Sequence, residues 1–143
     1  MVSEETKTER KQKRNRSEQN FCTELQKWMR SCLECSCAWE AKIVVGELKY
    51  NLRLIPYHQF TSLRRASKGS FCYKISDAEC YTQKPCDGVF ITKGKGIFFF
   101  KWIRRNNKRF YGITVECLEN FMSNGNFKLS EDNAIEMAIY VVN

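Results

Sequence analysis

Glu40 and Lys42 are the residues most able to do chemistry. They lie in the apolar run Ala38-Trp39-Glu40-Ala41-Lys42-Ile43-Val44-Val45. Side chains alternate along a strand, so Glu40 and Lys42 point to one face and Trp39, Ala41 and Ile43 to the other. Charges within a run of strong strand formers cost stability unless they are used. A fixed carboxylate and ammonium suit metal-dependent phosphodiester chemistry. Such chemistry needs hard oxygen ligands for a divalent cation, an activated water and charge to offset the departing oxygen. Glu40 can supply one ligand and the carbonyl of Ala41 another, while Lys42 orients the water or stabilises the pentavalent phosphate. A second carboxylate is needed, and Asp87, opening a strand after the Lys84-Pro85 turn, is the best placed. Asp77 is the second choice.

The Glu-x-Lys spacing also occurs at Glu9/Lys11 and Glu47/Lys49. The first is in a polar arm and the second follows Gly46 in a loop. Only Glu40/Lys42 sits in a hydrophobic strand behind a helix. A plain ion pair on a sheet surface is the competing reading of that pair, and an ordinary turn that of Asp87-Gly88.

The elements that must position these residues follow from periodicity. Residues 1–17 are polar and charged, and are expected to be a disordered or loosely helical arm whose six Lys and Arg can add phosphate contacts. Phe21, Leu25, Trp28, Met29 and Leu33 recur at helical spacing and predict a helix over 18–33, with Ser17 or Asn20 as its cap. A strand at 37–45 follows, then a loop to Ile55-Pro56 and a helix over 57–67 that ends at Gly69. Residues 89–92 and 97–102 flank Lys93-Gly94-Lys95-Gly96, which predicts a β-hairpin. A basic turn over 104–109, a strand at 110–115, a short helix at 117–122, a Ser130-capped helical piece and a final apolar segment complete the chain. The expectation is one α+β domain over 18–143: a mixed sheet of four or five strands with helices packed on it.

The chain of 143 residues carries a net charge of +8. That charge is concentrated: residues 64–109 hold twelve Lys and Arg against three acids. Interleaved with Phe71, Tyr73, Tyr81 and Trp102, this block suits nucleic acid. Arg64, Arg65, Lys68, Lys74, Lys84, Lys93, Lys95, Arg104 and Arg105 are the candidate contacts. No stretch has the roughly 20 apolar residues of a membrane span, and the chain opens with charges instead of an apolar leader, so a soluble, cytoplasmic protein is expected. The eight cysteines include a Cys32-x2-Cys35-x-Cys37 cluster, but no second pair completes a zinc tetrahedron. Reduced thiols are expected.

The Glu-x-Lys strand, the following helix with His58-Gln59-Phe60-Thr61-Ser62-Leu63, and the basic strands beyond it resemble the PD-(D/E)xK nuclease superfamily, in particular its Holliday-junction resolvase-like members. The resemblance spans about residues 20–122. It implies a restriction-endonuclease-like fold and Mg2+ (or Mn2+) held by Glu40 and Asp87. It further implies that Lys42 assists the attacking water, that Gln59 supports the site, and that Glu24 on the first helix adds an acid. An endonuclease on branched or duplex DNA, acting in recombination and repair as a homodimer, is what the resemblance implies. A non-catalytic nucleic-acid-binding module of the same fold is the alternative.

One departure stands out. The family's Asp strand ordinarily precedes Glu-x-Lys, whereas here Asp87 follows the Gln59 helix, so the sequence resembles a permuted version. Aligning the usual order on Asp87 instead places Phe98 or Phe99 where the Glu belongs and retains only Lys101 of the Glu-x-Lys pair, which would leave the site catalytically dead.

Overall fold

The computed structural model describes residues 6–32, 37–69, 71–74, 88–91 and 94–143. Asp77, Lys84, Asp87 and Lys93 lie outside them.

Helix α1 spans Lys7–Cys32, strand β1 Cys37–Val45, β2 Lys49–Asn51 and helix α2 Tyr57–Lys68. Strands β3 (Phe71–Lys74), β4 (Gly88–Ile91), β5 (Lys95–Ile103) and β6 (Phe110–Thr114) follow. The chain closes with α3 (Val115–Ser123), β7 (Lys128–Ser130), α4 (Glu131–Met137) and β8 (Tyr140–Val142). The main sheet has the order β1-β5-β6-β8. Strands β1 and β5 are parallel, with α2 in the crossover between them, and the other two pairings are antiparallel. Strands β2 and β7 pair separately, as do β3 and β4. The α+β class and the four-stranded mixed sheet agree with expectation.

Strand β5 explains the layering. Its residues from Gly96 to Trp102 are all buried, because helices cover both faces of the sheet at this strand. Phe98, Phe100 and Trp102 pack with Phe60 and Leu63 of α2 and with Leu118 of α3. Ile97 and Phe99 pack on the other face with Phe21 and Leu25 of α1 and with Ala41, Ile43 and Phe110. Trp28 meets Phe99, Phe110 and Tyr140 edge-on, at 5.8, 5.8 and 5.2 Å between ring centroids.

Two expectations require correction. Helix α1 begins at Lys7 rather than near residue 18, so most of the arm expected to be disordered or loosely helical is part of a regular helix. The cause is a capping box: Thr6 N–H donates to Glu9 Oε2 at 2.8 Å, and Glu9 N–H donates to Thr6 Oγ1 at 3.3 Å. The hairpin expected about Lys93-Gly94-Lys95-Gly96 does not form either. Strand β4 pairs with β3, while β5 has β1 on one edge and β6 on the other, leaving no edge for β4. Gly96 serves packing instead of a turn. A Cβ there would lie 2.1 Å from the carbonyl oxygen of Leu63, so only glycine lets α2 sit this close to β5.

Candidate functional site

Strand β1 sits at the edge of the main sheet and presents its two charges as alternation requires. Trp39, Ala41 and Ile43 face α1. Glu40 and Lys42 share the opposite face and lie in register with Phe98 and Phe100 of β5, beneath α2. Helix α2 starts straight after Pro56 and brings Gln59 over β1 in its first turn. The Lys42 ammonium donates to Gln59 Oε1 at 2.6 Å and lies 3.9 Å from Glu40 Oε2. Its side chain is only 15 % exposed, against 36 % for Glu40. Glu40 and Lys42, paired by strand spacing, and Gln59, named by the resemblance, thus converge, with the lysine in the centre.

Electrostatics at this point is set by burial. Desolvation pushes the Lys42 pKa below its ordinary value, and the carboxylates of Glu40 and Glu18 pull it partly back. Burial, with Glu18 and Glu40 beside it, raises the Cys22 thiol, and burial raises the Tyr50 phenol, Arg14 opposing that rise and Glu18 adding to it.

Glu24, by contrast, is not part of the Glu40–Lys42 cluster. Its carboxylate pairs with Lys101, whose ammonium sits over the Phe21 ring on the α1 face of the sheet. The structure therefore places Glu24 beside Lys101 and apart from Lys42.

The donor set fits a hard divalent cation in kind. Glu40 is accessible, the Ala41 carbonyl neighbours it, and Glu18 adds negative charge nearby. The Ala41 side chain is buried against α1, leaving its main chain as the only possible ligand. Asp87 and Asp77 lie outside the described residues. Among the described residues, no group of three His, Cys, Asp or Glu side chains is arranged to hold a metal.

The predicted nucleic-acid contacts divide. Arg64 Nε donates to Glu119 Oε1 at 2.9 Å, and a second guanidinium nitrogen pairs with the same carboxylate. Arg104 pairs with Glu131, whose other oxygen accepts from the Tyr111 hydroxyl at 2.7 Å. Those two arginines are therefore engaged by carboxylates of α3 and α4 rather than presented unpaired to phosphate. Lys95 stands 5.8 Å from the Tyr140 ring centroid. Arg65, Lys68 and Arg105 are exposed. Lys74 lies in β3, and Lys84 and Lys93 lie outside the described residues. No helix among the described residues is long and apolar enough to cross a membrane.

Compared with protein-family models, with curated proteins and with solved structures, the chain matches none.

Proposed function

We propose that the chain is a divalent-metal-dependent endonuclease that cleaves phosphodiester bonds in structured DNA. In this reading its fold is a permuted restriction-endonuclease-like one, and its substrates are branched junctions of the kind resolvases act on. The observation that supports it is the placement of Lys42, half-sequestered beneath α2 and held between Gln59 Oε1 at 2.6 Å and Glu40 Oε2 at 3.9 Å. An ion pair serving only the surface would not need a part-buried amide to hold the lysine in place.

Glu40, the Ala41 carbonyl and Asp87 are the groups that would hold Mg2+ or Mn2+, which would supply Lewis-acid charge to the scissile phosphate when bound. The chain's own residues do the rest. Gln59 fixes the direction of the Lys42 amine. Burial weakens that amine's hold on its proton, so Nζ can donate to a phosphoryl oxygen or take a proton from an attacking water. Glu40 orients the same amine from the exposed side. A four-way junction needs two symmetric cuts, so a homodimer belongs to this proposal.

The test is cleavage of a four-way junction and of supercoiled plasmid in Mg2+, with DNA binding measured separately. Glu40→Gln should retain binding and lose at least about 100-fold in cleavage, as loss of a metal or charge-stabilising group commonly does. Wild-type protein that binds but never cleaves would favour the non-catalytic binding module. Undiminished cleavage by Glu40→Gln would refute the site.

A further inference from the structure

Helix α1 is longer than the sheet it packs on. The stripe that buries Phe21, Leu25 and Trp28 against β5 and β6 continues toward the N-terminus through Ser17, Arg14 and Arg10 at the same helical period. Strands β1 and β5 end at Val45 and Ile103, so the first turns of α1 project past the end of the sheet. The groove beneath them is lined by Arg10, Lys13, Arg14, Arg16, Val45 and Ile103, with Ser17 and Asn20 at its inner end. Arginines thus take up the core-facing positions where no core remains.

Arg10/Arg14 and Lys7/Lys11 are like charges four residues apart, each pair destabilising the helix by about 0.2–0.5 kcal/mol, offset in part by the opposite charges of Glu9/Lys13 and Arg14/Glu18 at the same spacing. A polyanion in the groove would relieve that repulsion. The β5–β6 turn lies at the same end of the sheet, directly after Ile103, and exposes Arg105, Lys108 and Arg109.

We propose that the projecting turns of α1 and the β5–β6 turn form a two-sided clamp for the sugar-phosphate backbone of duplex DNA. This rests on the nucleic-acid reading above for the choice of polyanion. The chemistry of the groove selects the duplex over its rivals. No aromatic residue lines it, so it lacks the stacking platform on which single strands depend. Its floor offers only Val45 and Ile103 as apolar contacts, too little to anchor an acidic peptide. Guanidinium groups on a rigid helix suit bidentate contact with phosphates.

Fluorescence anisotropy with a blunt 20-base-pair duplex, titrated with salt in EDTA, tests the clamp without any need for cleavage; clamp and catalytic site can therefore fail separately. The variant is Arg10→Gln/Arg14→Gln/Arg16→Gln. The control is Lys27→Gln/Arg30→Gln, which removes charge from the exposed surface at the other end of the same helix. Each phosphate contact contributes roughly 0.9 to the slope of log K against log[salt], so the triple variant should lose about 2.7 of slope if all three arginines meet phosphates, and bind roughly 10- to 100-fold more weakly near 0.1 M salt. The control should keep the wild-type slope to within about half a contact, and circular dichroism should show both free proteins folded. Equal slope changes in variant and control, or none in either, would overturn the clamp. So would displacement of the duplex by poly-glutamate or single-stranded DNA at equal charge concentration, which would point to an acidic protein or an unpaired strand as the partner.

Discussion

Replacing Gly96 with alanine should damage both the fold and the candidate site, through one contact. The new Cβ would stand 2.1 Å from the Leu63 carbonyl oxygen, 2.7 Å from its carbonyl carbon and 2.9 Å from its Cβ. The first two are backbone atoms, so no rotamer change relieves the clash. Reaching an ordinary contact of 3.4 Å requires this turn of α2 to retreat by about 1.3 Å. A retreat of that size loosens Phe60, Leu63 and Ala66, the residues α2 buries. Overpacking of this kind costs about 1–3 kcal/mol or more, a large fraction of a total stability of roughly 5–15 kcal/mol. The same movement lengthens the 2.6 Å bond from Lys42 to Gln59, since both Gln59 and Leu63 ride on α2. Urea denaturation measures the first effect: the midpoint should fall with the slope m unchanged. Gly69→Ala is the control, because its Cβ would meet only the Arg65 carbonyl oxygen at 3.5 Å, and its effect should stay within about 0.5 kcal/mol. Equal stability of Gly96→Ala and Gly69→Ala would refute the reasoning. Junction cleavage reads the second effect, and should fall in Gly96→Ala under conditions where the variant remains folded.

Two further predictions rest on the charged residues either side of β1. Lys101 is 8 % exposed and Glu24 is its carboxylate partner; Glu24→Gln leaves a buried ammonium without its counter-charge and should destabilise more than Lys101→Met, which removes the ammonium and fills its space with apolar atoms. Thermal melts of the two variants decide this, and the opposite order would show that Glu24 does not stabilise Lys101. Lys42 makes stability depend on pH. Its native pKa is lowered, so in the window between that value and the ordinary 10.5 the unfolded chain binds more protons than the native state, and stability rises with pH. Urea midpoints measured between pH 7.5 and 10 should therefore contain a rising component that Lys42→Met lacks; identical profiles for the two proteins would contradict the burial of the ammonium.

What could be read from the sequence, and what could not, divides by the range of the interaction that decides it. Alternation along β1 and the start of α2 after Pro56 are local and were legible, whereas Gln59 was named only through the resemblance and its contact with Lys42 is made by the packing of α2 on β1. The strand bounds 37–45 were equally legible, because Gly46 ends a run of strand formers broken only by Glu40 and Lys42. The start of α1 was local too, but composition masked it: Thr6-Lys7-Thr8-Glu9 is a capping box, and the five cations in the following turns read as disorder. Strand pairing is not local. Whether β4 joins β5 depends on which strands already occupy the edges of β5, and those are β1, about 60 residues earlier, and β6. The glycines before β5 looked like turn residues for the same reason, since only the docked helix reveals that Gly96 is there to admit Leu63.

Charge is the hardest property to read from a chain, because counting ignores pairing. Residues 64–109 hold most of the basic excess, yet Arg64 and Arg104 spend their charge on Glu119 and Glu131, supplied by the acidic C-terminal segment. The α1 overhang has fewer cations, but it lies beyond the reach of that segment's pairings with Arg64 and Arg104 and faces an open groove. A short basic stretch of helix over an open groove can therefore matter more to a polyanion than a longer basic one folded against carboxylates. The same logic applies at Lys42. Its value to a reaction would lie in what the fold has done to its charge: partial desolvation by α2, direction from Gln59 and a carboxylate on its open side.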